Sequence, residues 1–252
     1  MLKKLFFCLF LASSALYAAI PIDLNPNEKS LYSRNGEDGV LAKIFQLVSP
    51  SLRYCVDLGA GDGITMSNTY LLRLQGWDCL LLDRGYEIPE QRLHKEFITA
   101  ENINSLFETY KVPAEFGLLS IDVHYNDFHL WNALDAKYRP AAVVIEYNAA
   151  YAPEEDKVVK YHPFYCGDGT DYFGASILAL YKLGRSKGYS LIYAERSGSN
   201  LFFIRDDLLQ ELGLSFKDAN DVKKIYRPPS SALPSGEGKK RFFTSSETLI
   251  GQ

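Results

Sequence analysis

From Tyr54 onward the chain alternates short apolar runs with amphipathic stretches. YCVDL (54–58), CLLLD (79–83), GLLSID (117–122) and AAVVIEYN (141–148) carry little polar alternation. Runs of that length and character read as strands buried on both faces of a sheet. FITAEN (97–102) reads as a third strand, less apolar than its neighbours. Residues 35–49 form a helix with Val40, Leu41, Ile44, Phe45 and Val48 on one face, closed by Pro50. Asn35 is its predicted N-cap, with Asp38 three residues on as in a capping box. Further helices are predicted over 67–75, part of 87–97, 104–110, 127–138 and 172–187. The last buries Phe173, Ile177, Leu180 and Tyr181 and stops at Gly188. YSLIYAE (189–195) and NLFFIR (200–205) read as a closing antiparallel pair. Strand and helix alternation predicts an α/β fold, a mostly parallel sheet with helices on both faces. Ligands in such sheets sit beyond the carboxyl ends of the strands, at the switch point.

The two ends read differently. Residues 1–19 start with Met1-Leu2-Lys3-Lys4, run apolar from Leu5 to Ala12, and finish in small residues. That is the pattern of a secretory signal, with cleavage after Ala18 or Ala19, or of an anchor if uncleaved. It predicts an exported domain that meets the membrane only through this segment. Residues 20–34 read as an irregular lead-in, 35–212 as the folded domain, and 213–252 as a polar, partly mobile tail. The chain has 252 residues, 47% of them hydrophobic, and a net charge of −4. Its short basic runs lack interleaved aromatics, so a nucleic-acid surface is not predicted. Cys55, Cys79 and Cys166 remain after export, which allows at most one disulfide. Cys55 and Cys79 fall in core strands, where cysteine acts as a small hydrophobe.

The chemistry gathers at strand ends. VDLGAGDG (56–63) joins a buried strand to a helix, and Gly59 and Gly61 allow a tight turn and close approach of a ligand. Gly63 completes G-x-G-x-G; Ile64 stands where a dinucleotide fingerprint needs its last glycine. Asp57 precedes the bend, where a carboxylate suits the amino-acid part of S-adenosylmethionine and repels a pyrophosphate. Asp83, ending the second strand, is placed to accept ribose hydroxyls. Asn102, ending the third, falls where an adenine contact would. After the fourth strand, Asp122, His124 and Asp127 are candidate bases, with Asn126 beside them and Asn126 or Asp127 also able to cap the next helix. Glu146 and Asn148 end the fifth strand on the substrate side. Asp168 and Asp171 lie in a Gly-rich loop, CGDGTDYFGAS (166–176), where Thr170 or Asp171 could cap the next helix. Asp122, His124, Asp127 and Glu146 could also surround a metal ion. No metal is assigned, because sequence spacing fixes no geometry for one.

SRNGEDGVLAKIF, VDLGAGDG, LLSIDVHYNDFHLW, VVIEYN, DGTDYFGAS and SGSNLFFIR occur in this order between residues 33 and 205. Together they resemble a bacterial group related to FkbM-type methyltransferases. The resemblance implies a class I, Rossmann-like methyltransferase fold of seven strands with the last antiparallel. It implies S-adenosylmethionine as cofactor and methyl transfer to oxygen, on a sugar or other hydroxyl-bearing small molecule or glycan. The group reads Ile-Asp-Ile-Asp-Gly-Asn-Asp-Tyr after the fourth strand; this chain replaces the Asp-Gly pair by His124-Tyr125. Two alternatives to the methyltransferase stand beside it. One is an exported binding module that keeps the fold without turnover, since the cofactor is made in the cytosol. The other is a metal-dependent hydrolase using Asp122, His124 and Asp127.

Overall fold

The structure is a computed structural model that describes residues 20–230, 234 and 241–251. The signal-like segment 1–19 and residues 231–233 and 235–240 of the tail lie outside the described residues. The strands are β1 Tyr54–Leu58, β2 Asp78–Asp83, β3 Leu93–Lys95, β4 Glu115–Ile121, β5 Arg139–Glu146, β6 Val158–Val159, β7 Tyr189–Ala194, β8 Asn200–Arg205 and β9 Phe243–Thr244. The helices are α1 Glu37–Val48, α2 Tyr70–Leu74, α3 Ile103–Thr109, α4 Asp127–Ala133, α5 Ile177–Ser186, α6 Asp206–Glu211 and α7 Val222–Ile225.

Seven strands form one sheet in the order β3-β2-β1-β4-β5-β8-β7. β8 runs antiparallel to β5 and β7, and the ladders from β3 to β5 are parallel. This is an α/β architecture compatible with a Rossmann-like fold. The chain order reverses between β1 and β4, which opens the crevice where such sheets bind ligands.

Side-chain alternation sends each strand into two cores. Val56, Leu58, Leu80 and Leu82 pack with Phe107 of α3, Phe128 and Trp131 of α4 and Leu180 of α5. Cys55, Cys79 and Leu81 face the other way, onto Val40, Leu41 and Ile44 of α1 and Leu72 of α2. Both sheet faces are therefore covered, which is why the strands read as continuous apolar runs. Cys55 and Cys79 are register partners across β1 and β2, with Cα atoms 4.5 Å apart, and are joined as a disulfide.

Several elements differ from the sequence expectation. The third strand is Leu93–Lys95, not 97–102; Leu93 is wholly buried and pairs with Leu81. Only a single 3-10 turn, Pro89–Gln91, remains of the helix expected over 87–97. Asn35 does not cap α1, whose N-cap is Gly36. Instead Asp38 Oδ2 accepts the backbone N–H groups of Leu31, Tyr32 and Ser33, and Ser33 Oγ accepts the N–H of Asp38. The capping-box residues thus organise the lead-in rather than the helix end. α5 starts at Ile177, not 172, because Ser176 is its N-cap and accepts the N–H of Ala179. Phe173 is left half-buried outside it. Parts of both ends dock on the body: Leu24, Phe216 and Ile225 are buried, and β9 pairs with β6.

Candidate functional site

The glycine bend after β1 is pinned from both sides. The N–H groups of Gly59 and Ala60 donate to Leu82 O at 2.9 and 3.2 Å, and Asp122 N donates to Leu58 O at 2.9 Å. Gly59 has φ +88°, and a Cβ there would lie 1.9 Å from the carbonyl oxygen of Asp122. No residue with a side chain fits that approach. Gly61, at φ +56°, donates its N–H to Asp83 Oδ2 at 2.9 Å. Asp83 Oδ1 accepts Gly85 N at 2.7 Å. The Asp83 carboxylate therefore holds the bend against the loop after β2.

Two cavities adjoin across this bend and share Gly59, Gly61, Asp122 and His124. The larger, about 300 Å³, is lined by Asp83 at the end of β2 and Tyr86 after it, by Glu96, Phe97 and Ile98 after β3, and by Asn126 and Tyr165. The smaller, about 200 Å³, is polar, with Arg34, Asn35, Glu37, Asp57, Ser120 and Glu146 on its wall. Asp57 and Asp83 thus open onto opposite sides of one glycine bend. Asp57 is buried and accepts Thr69 Oγ1 at 2.7 Å. Burial raises its pKa above the usual carboxylate range.

At the junction of the cavities, strand register sets Asp122 beside Glu146. The last ladder pair of β4 and β5 is Ile121 with Ile145, and the two acids lie one residue beyond it. His124 Nδ1 lies 3.2 Å from Asp122 Oδ1 and 3.6 Å from Glu146 Oε2. Its pairing with Glu146, reinforced by Asp122, raises its pKa. Burial and the Glu146 charge raise that of Asp122. Asp127 is wholly buried; its Oδ1 accepts Val123 N at 2.8 Å, so it fastens the loop rather than capping α4. Burial, then Glu146 and Asp122, raise its pKa well above the carboxylate range.

The His124-Tyr125 exchange has a visible consequence. Positive φ falls on His124, at 69°, not on Tyr125, so the loop does not need a glycine at 125. The Tyr125 ring packs edge-on against Tyr165, and its hydroxyl donates to Lys160 O at 2.9 Å. Asn126 Nδ2 donates to His162 O at 2.9 Å. Together they tie the loop after β4 to the aromatic segment that roofs the larger cavity.

Asp57, Gly59, Gly61, Asp83, Asp122, His124, Asn126 and Glu146 therefore converge on the crevice. Other sequence candidates do not. Gly63 lies off both cavities, with its carbonyl accepting Arg73 Nη1 at 2.6 Å. Asn102 spends its side chain on Thr99 N and Phe97 O. It lies past the true third strand, which ends at Lys95. Asn148 is buried and donates to the carbonyls of Asp171 and Phe173, holding that loop from inside. Asp171 pairs with Arg241, and Asp168 accepts the Thr170 hydroxyl. Neither lines either cavity.

Sequence reasoning missed Phe97, Ile98 and Tyr86 in the larger cavity, and Arg34 and Glu37 in the smaller. Misplacing the third strand hid the first two, since residues just past a strand end face the crevice. Glu37 carries no sequence signal of its own, since an acid in a helix's first turn is ordinary; it is wholly buried, accepting Asn35 N at 2.7 Å and Asn200 Nδ2 at 2.9 Å.

No protein-family model matches the chain, and a search of curated proteins returns no match.

Proposed function

We propose that the chain is an S-adenosylmethionine-dependent methyltransferase that methylates a hydroxyl oxygen of a sugar or other small molecule. One observation carries the reading. A glycine bend at the sheet's switch point separates an apolar cavity holding Asp83 from a polar cavity holding Asp57. The cofactor has the same division: a flat nucleoside at one end and a charged amino acid at the other. In this reading the Asp83 carboxylate accepts ribose hydroxyls, and Phe97 and Ile98 flank the base. Arg34 faces the carboxylate of the amino-acid end, and Asp57 and Glu37 face its ammonium. The bound sulfonium supplies an electrophilic methyl group. The protein then contributes mostly position, bringing an acceptor oxygen in line at the junction. Asp122, His124 and Glu146 stand there to orient the hydroxyl or take its proton.

The test is calorimetry of the purified protein with S-adenosylmethionine and with its demethylated product. Binding of either with one site per chain is the expected result. Absence of heat and of competition from both ligands refutes the reading.

A second reading is favoured by the Cys55–Cys79 disulfide. Such bonds persist in oxidising compartments, away from the cytosolic cofactor pool. An exported module that retains the fold to bind a nucleoside-like or glycan ligand, without turnover, fits that location. Methyl transfer to any hydroxyl acceptor refutes it.

A further inference from the structure

Where the two cavities meet, two carboxylate oxygens accept no hydrogen bond from the described residues: Asp122 Oδ1 and Glu146 Oε2. Both face one atom, His124 Nδ1, at 3.2 and 3.6 Å. Asp127, which fastens the same loop through Val123 N, is wholly buried, with Oδ2 also unpartnered among the described residues. Two carboxyl groups thus converge on one imidazole in a partly enclosed place. Unpartnered carboxylate oxygens beside an imidazole nitrogen are donor atoms that a bound cation can use.

The distances suit a metal ion. One ligand atom from each of Asp122, His124 and Glu146 lies within 4.8 Å of the others. With ligand bonds of about 2.1 Å, neighbouring ligands stand about 3.0 Å apart in octahedral and about 3.4 Å apart in tetrahedral geometry. The two observed nitrogen–oxygen separations, 3.2 and 3.6 Å, lie close to those values. The carboxylates come from the ends of two paired strands, β4 and β5, so their spacing is set by the ladder. One nitrogen and two oxygens, without sulfur, favour a first-row divalent ion over calcium, which takes oxygens alone.

We propose that Asp122, His124 and Glu146 bind one divalent first-row metal ion, with its open positions facing the cavities. The ion's role, holding an acceptor hydroxyl beside the methyl group, rests on the methyltransferase reading. Its binding does not.

The probe is Mn²⁺ added to the full chain without cofactor, with free Mn²⁺ followed by electron paramagnetic resonance. One ion per chain is the expected stoichiometry. Glu146→Gln and His124→Asn should each weaken binding about 10-fold or more. Asparagine tolerates the left-handed backbone found at 124, so that variant keeps the loop. Thermal melts of both variants confirm that they fold. Failure of the parent protein to bind Mn²⁺, or unchanged affinity in both folded variants, overturns the proposal. Affinity for S-adenosylhomocysteine is measured on the same samples. Its binding without Mn²⁺ binding overturns the metal site alone. Mn²⁺ binding without it supports the site and overturns the methyltransferase reading.

Discussion

Alanine at Gly59 and alanine at Gly61 make the same chemical change two residues apart and should have very different costs. Both glycines have positive φ, +88° and +56°. Placing an L-residue there costs about 1–2 kcal/mol in backbone strain. At Gly61 the strain is the whole cost, since an added Cβ meets no atom within 4 Å. At Gly59 the Cβ would lie 1.9 Å from Asp122 O and 2.7 Å from its carbonyl carbon. Neither side can yield freely. The bend is held by N–H bonds to Leu82 O, and Asp122 is held by its own bond to Leu58 O. Relieving the clash costs about two of these hydrogen bonds, about 1 kcal/mol each. The total for Gly59→Ala is then about 3–4 kcal/mol. Urea unfolding followed by far-ultraviolet circular dichroism gives both values. A gap of about 2 kcal/mol between the variants is expected. Equal destabilisation would refute the reasoning, because it would mean that β1 and β4 do not approach so closely at the bend. Gly61 lines both cavities, so Gly61→Ala should weaken S-adenosylhomocysteine binding while the fold stays near parental stability.

Asp83→Ala removes the proposed ribose acceptor together with the anchor of Gly61 N and Gly85 N. S-adenosylhomocysteine affinity should fall by about 1–3 kcal/mol by calorimetry, and an unchanged affinity would remove Asp83 from the site. The Cys55–Cys79 disulfide spans 24 residues. Reduction should lower the stability of the parent by about 3 kcal/mol and leave Cys55→Ala unaffected; a parent indifferent to reductant would count against the bond. Lys187 donates to the carbonyls of Asn132 and Leu134, and burial lowers its pKa to about 8. Free lysine titrates near 10.4, so from about pH 8 to about 10 the unfolded chain binds more protons at this site. Stability of the parent relative to Lys187→Met should therefore rise with pH across that window. A flat difference would show that the charge is not penalised by burial.

Local pattern was enough for much of the frame. YCVDL, CLLLD, GLLSID and AAVVIE are apolar because helices cover both faces of their sheet, and their strand positions follow from that. An acid at the end of each of the first two strands, with a glycine bend between, was also readable. A strand's carboxyl end is the one place in this architecture where a side chain meets the crevice. That ground marks Asp57, Gly59, Gly61, Asp83 and Asp122 in the sequence.

Other features depend on partners far along the chain. The polar setting of Leu93 in QRLHKE (91–96) gives no strand signal; Leu93–Lys95 becomes a strand because β2 offers an open edge, with Leu81 opposite Leu93. That edge moved the wall of the larger cavity from Asn102 to Phe97 and Ile98. Asn148, expected to end the fifth strand, lies two residues past the end of β5, and the carbonyls of Asp171 and Phe173 claim its side chain. The sequence by itself determined which segments are buried and which turns are tight, because periodicity and glycine act over a few residues. Only the tertiary structure decided that Asp122, His124 and Glu146 meet. Their meeting needs β4 and β5 paired in one register, and that pairing is set by packing across the whole sheet.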